Sequence, residues 1–79
     1  MHPEDLALED VERAERNFQG EISRRMANDL HVIKQYLRMY EVGQSTLLWL
    51  SDEMYKFSQI ENQKEAELLI KTIADRFWD

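Results

Sequence analysis

The sequence predicts an all-α fold, a helical hairpin or small helix bundle of three helices, or four if Gly20 interrupts the first. Three observations carry this. Apolar residues recur three or four apart along most of the chain, the helical period. Only two glycines and one proline occur in 79 residues, which suits helices with short connections. An apolar share of 43% suffices for a core. The whole of residues 1–79 reads as a single α-helical domain.

Residues 22–40 hold the longest unbroken helical pattern. With Ile33 as reference and roughly 100° per residue, Met26, Leu30, Leu37 and Tyr40 fall within about 60° of it. Val32, Tyr36 and Met39 widen the arc to roughly half the cylinder, beyond a two-stranded coiled-coil seam, so this helix needs neighbours on two sides. Arg25 and Asp29 interrupt the arc at i,i+4 spacing. The plain reading is an ion pair at its edge; the other is a pair that fixes a partner helix's register.

Residues 3–19 precede it as a helix. Pro3 suits a first helical position, and Glu4, Asp5, Glu9 and Asp10 sit near the positive end of the dipole. Leu8, Val11, Ala14 (or Glu15) and Phe18 form a thinner stripe. Gly20 either caps this helix or lies inside one helix over residues 3–40, at about 1 kcal/mol relative to alanine. The unbroken phase of Val11, Ala14, Phe18, Ile22 and Met26 favours one long helix bent at Gly20.

Residues 42–45 are the clearest break, with Gly43 just past a helix end and Ser45 or Thr46 as the next cap. So short a connection predicts antiparallel neighbours. The following helix, residues 46–57, has Leu47, Leu50, Met54 and Phe57 as its stripe, with Leu48 and Tyr55 opposite and Trp49 on the flank. Such an all-round apolar helix implies burial on more than one side. Residues 58–61, Ser-Gln-Ile-Glu, match a capping box at the start of a last helix, residues 59–78. There Ala66, Leu69, Ile70, Ile73 and Phe77 share a face, with Leu68 and Trp78 off it. No internal repeat stands out.

A chain this short buries only about 60% of its unfolded surface, and no cysteine is present to staple it. Homodimerisation is therefore the expected way to complete the core. No apolar run is long enough for a signal peptide or membrane span. With the absence of cysteine, that makes a cytoplasmic location the expectation.

Net charge is −6, distributed as −4 over residues 1–20, +2 over 21–40, −2 over 41–60 and −2 over 61–79. An acidic body with one basic segment disfavours general binding to nucleic acid or anionic membrane.

Chemistry finds little support. A bundle-type di-iron site needs a Glu three residues before a His, and Asn28 stands there before His31, so no metal or other cofactor is expected. Ser23, Ser45, Ser51 and Ser58 sit in no nucleophile motif, and no P-loop or dinucleotide fingerprint occurs. The protein is not expected to be an enzyme.

Two surfaces remain. Arg24, His31, Lys34 and Arg38 form a basic stripe opposite the apolar arc of residues 22–40. The plain reading is a solvated face balancing the acidic first segment; the alternative is a site for an acidic partner, including nucleic acid. Leu48, Trp49, Tyr55, Leu68 and Trp78 lie off the main stripes and are candidates for a homodimer seam or a docking patch, since Trp and Tyr are favoured interface anchors. The expected class is a non-catalytic protein–protein interaction module, an adaptor, regulator or inhibitor. The competing class is a nucleic-acid-associated regulator using the basic stripe.

Overall fold

The structure, a computed structural model, describes residues 2–78. It is all-helical there, with α1 (Pro3–Asn17), α2 (Arg24–Met39), α3 (Gln44–Gln59) and α4 (Gln63–Trp78). Pro3 opens α1 with Glu4 and Asp5 in the first turn, where a missing N–H and negative charge are both favourable.

The first helix does not run on through Gly20. Phe18 turns extended at the end of α1, and Ser23 restarts the chain by accepting a hydrogen bond from the Met26 N–H at 3.3 Å. Apolar phase survives the gap because Phe18 folds back into the core while Ile22 stays outside it. No glycine among the described residues has positive φ, so Gly20 is not a left-handed cap. Its role is space: a Cβ there would lie 2.7 Å from both Phe18 Cζ and Gln63 Oε1.

Two other boundaries shift. Gly43 is itself the residue before α3, and the helix begins at Gln44 with no side-chain cap. The capping box at Ser58 does not form. Ser58 is buried in the last turn of α3, its hydroxyl donating to the Tyr55 carbonyl at 2.7 Å. The cap of α4 is Asn62, whose Oδ1 accepts from the Glu65 N–H at 3.1 Å.

The helices form two hairpins laid against each other. Gln63, opening α4, bonds Glu21 just before α2, and Tyr36 near the end of α2 meets Phe77 near the end of α4 at 4.8 Å. Those two helices therefore run parallel. At the far end of α1, Phe18 stacks on Phe57 of α3 at 4.5 Å and 19°. Trp49, early in α3, meets Phe77, late in α4, at 5.3 Å, so α3 and α4 are antiparallel. The packed pairs are α1 with α3, α2 with α4, α1 with α2 and α3 with α4. The expectation that the short link makes α2 and α3 neighbours is wrong: they lie across the diagonal, because each finds its apolar partners in the other two helices.

Each helix buries residues at helical spacing: Ala7, Val11 and Ala14 of α1; Met26, Leu30, Ile33 and Leu37 of α2; Leu50, Met54 and Phe57 of α3; Ala66, Ile70 and Ile73 of α4. The α2 and α4 sets repeat at a constant interval, with Met26, Leu30 and Ile33 matched by Ala66, Ile70 and Ile73. Alanines on α1 let it approach α3 closely. The buried residues form one cluster, each large side chain stabilising the fold by about 1.5–3 kcal/mol. The chain exposes 5380 Å², near the roughly 5,000 Å² expected for a folded monomer of this mass. The apolar faces of α2 and α3 are both buried within one chain, against α1 and α4.

Candidate functional site

Leu48 and Tyr55 are two turns apart on one face of α3, 72% and 67% exposed. Seven residues in a helix return to nearly the same direction, so they make one apolar strip on the outside. α3 is buried on two sides, against α1 and against α4. Leu48 and Tyr55 lie outside the core, with Tyr55 at the rim of a cleft lined by Asp10, Arg13 and Asn17 of α1.

Trp49 does not share that strip. Its ring lies in the α3–α4 contact against Phe77, with the Arg76 guanidinium 4.0 Å over it. That cation–π contact holds Arg76 to the body of the bundle. Phe77 meets Tyr36, which touches both Tyr40 at 4.7 Å and Trp78 at 5.4 Å. Trp49 and Trp78 therefore belong to one aromatic cluster at the end of the bundle where α2 and α4 finish. Trp78 and Tyr40 are its exposed members. Leu68, also exposed, lies midway along the outer side of α4.

The basic stripe divides. Lys34 turns toward α1 and pairs with Glu15 at 2.8 Å, both partly buried. This agrees with the reading in which the basic segment balances the acidic first one. Arg24, His31 and Arg38 stay exposed, His31 within 3.4 Å of the Gln35 amide.

Sequence reasoning missed the groove between α2 and α4. Toward the helix ends it is a shallow, solvent-open groove of about 460 Å³, with Val32, Met39, Ala74 and Trp78 as apolar walls and Asp29 and Asp75 as acids. The expected Arg25–Asp29 ion pair does not form. Asp29 faces α4 instead, where partial burial and the Asp75 carboxylate hold its carboxyl above the usual aspartate range, Lys71 acting against them. Lys71 itself pairs with Asp75 at 2.8 Å. The signal was available: Asp29 sits between Leu30 and the outer face, at a position that reaches a helix packed beside α2.

No family model, curated protein or solved structure matches the chain. Among the described residues, no three His, Cys, Asp or Glu side chains are placed to hold a metal ion, and no helix is long and apolar enough to cross a membrane.

Proposed function

We propose that this chain is a non-catalytic protein–protein interaction module, a small acidic adaptor, regulator or inhibitor that acts in the cytoplasm as a helical homodimer and docks another protein on α3. The observation that supports it is large apolar side chains left outside a core already closed by the chain itself. Leu48 and Tyr55 on α3 head that set, with Leu68 and Trp78 on α4 and Met39 on α2. Scattered exposed apolar residues are ordinary; two aligned on one helix face are the pattern of helix-in-groove docking. Self-association here joins folded copies rather than completing a core.

The docking half is tested by capture from native lysate with wild-type and Leu48→Ser/Tyr55→Ser baits, read by mass spectrometry. A protein held by the first and lost from the second, with both baits equally folded, supports it. Identical capture by the two contradicts it.

A nucleic-acid-associated regulator is the second reading. It has less support, because Lys34 is engaged by Glu15 and Arg24, His31 and Arg38 are set on a body of net charge −6. Micromolar binding to a random duplex at physiological salt, falling steeply with added salt, would favour it instead.

A further inference from the structure

The groove between α2 and α4 combines apolar walls with one acid from each helix. Val32 and Met39 come from α2, Ala74 and Trp78 from α4, with Asp29 and Asp75 along it. Met39 and Trp78 are large, apolar and more than half exposed. Among the described residues no lysine or arginine lines the groove.

The nearest cations are engaged or set elsewhere. Lys71 binds Asp75 at 2.8 Å, with both side chains more than half exposed. With Arg25 and Lys64 it lines a separate hollow toward the helix starts. Arg76 is held over Trp49. Asp29 borders both hollows, yet among the described residues no hydrogen bond or ion pair reaches its carboxylate. Lys71 offsets only part of the effect that burial and Asp75 have on it. A partly buried carboxylate without a partner is costly, and a cation brought from outside would remove that cost.

We propose that the α2–α4 groove docks a basic amphipathic helix of another protein, its apolar residues against Val32, Met39 and Trp78 and a lysine or arginine at Asp29. This goes beyond the α3 surface and stands without it. An acidic helix would set its carboxylates against Asp29 and Asp75, and a purely apolar one would bury Asp29 further and leave it unpaired. The net charge of −6 draws a basic partner toward the chain. Both helices finish at this end of the groove, and their parallel dipoles add partial negative charge there. From Asp29 to Met39, α2 rises roughly 15 Å, about three turns. A third helix laid along two parallel ones can touch both, with apolar anchors spaced as in helix-in-groove recognition. Three turns make a contact smaller than a stable interface, so the complex is transient, with a dissociation constant on the order of micromolar.

The test is fluorescence anisotropy of the full chain with a labelled leucine–lysine amphipathic helical peptide of about four turns, roughly 14 residues, at physiological salt. Saturable binding is expected, and a peptide with glutamate in place of lysine is expected not to bind. Asp29→Asn and Trp78→Ser are each expected to weaken binding about tenfold. Asp29→Asn keeps the side chain's shape and removes a charge the fold holds at a cost, so folding is retained. Glu9→Gln removes the same charge from the exposed side of α1 and is expected to change binding by less than about twofold. Equal weakening by Asp29→Asn and Glu9→Gln would show attraction by total charge alone and overturn the site. Binding lost in Leu48→Ser/Tyr55→Ser but kept in Asp29→Asn would place the peptide on α3 and overturn it as well. Absence of binding to the wild-type chain would overturn it outright, whatever the α3 strip does.

Discussion

The side-chain amide of Gln63 grips the backbone of Glu21, 42 residues away in sequence, donating to its carbonyl and accepting from its N–H at 3.3 Å. The same nitrogen lies 3.3 Å from Met26 Sδ. One residue thus fixes the loop of the first hairpin onto the turn of the second. Gln63→Ala is expected to cost about 1–2 kcal/mol, two hydrogen bonds of ordinary net worth, and to speed amide exchange at Glu21. Unchanged exchange there would show that the grip contributes nothing in solution.

Gly20 and Gly43 should respond differently to alanine. At Gly20 the new Cβ meets the Phe18 ring and the Gln63 amide at 2.7 Å, so Gly20→Ala is expected to lose about 1–3 kcal/mol through overpacking. At Gly43 nothing lies within 4 Å. There, a poorer helix start and a less flexible unfolded chain offset each other to within about 0.5 kcal/mol. Urea denaturation of both variants checks the contrast, and equal losses would contradict it.

The rotation of α2 is tested by adjacent residues. Leu37 is 2% exposed and Arg38 lies on the surface. Leu37→Ala is expected to cost about 2–5 kcal/mol, Arg38→Ala less than about 0.5 kcal/mol. Similar losses in chemical denaturation would mean that the helix is turned otherwise.

Most of the inward faces were legible in the sequence because period selects them; Ala7 was missed, and Met39 and Tyr40, placed on the α2 arc, are exposed. Val11, Ala14 and Phe18, then Met26, Leu30, Ile33 and Leu37, then Leu50, Met54 and Phe57, then Ala66, Ile70 and Ile73 are buried as the spacing predicts. The break at Gly20 was not legible. Ile22 keeps the apolar rhythm although it lies outside any helix, and the Gln63 grip beside it is a contact between distant residues. Neighbour relations were hidden for the same reason: loop length limits reach but does not choose partners, so α2 pairs with α4 rather than α3. Of the candidate surface residues, Leu48 and Tyr55 are on the outside, as an off-stripe position predicts. Trp49 is not, because Phe77 and Arg76 of another helix cover it.

Asp29 gives a pH dependence of definite sign. Its folded-state carboxyl titrates above the ordinary aspartate value, through burial first and Asp75 second. The native state therefore holds this proton more tightly than the unfolded chain, and stability falls as pH rises through the interval between the two values. At low micromolar concentration, Asp29→Asn should raise the melting temperature at neutral pH. The gain should vanish below the ordinary aspartate range. A gain that grows on acidification would reverse the sign.

One chain closes its own core, and we propose that folded copies then associate through their surface. Sedimentation equilibrium of the wild-type protein, over dilutions from submillimolar to submicromolar, tests it most directly. The expected result is a reversible monomer–dimer equilibrium in which the dilute monomer keeps the compact mass and shape of the folded chain. A single monomeric species at every concentration, or a monomer that expands on dilution, would contradict it.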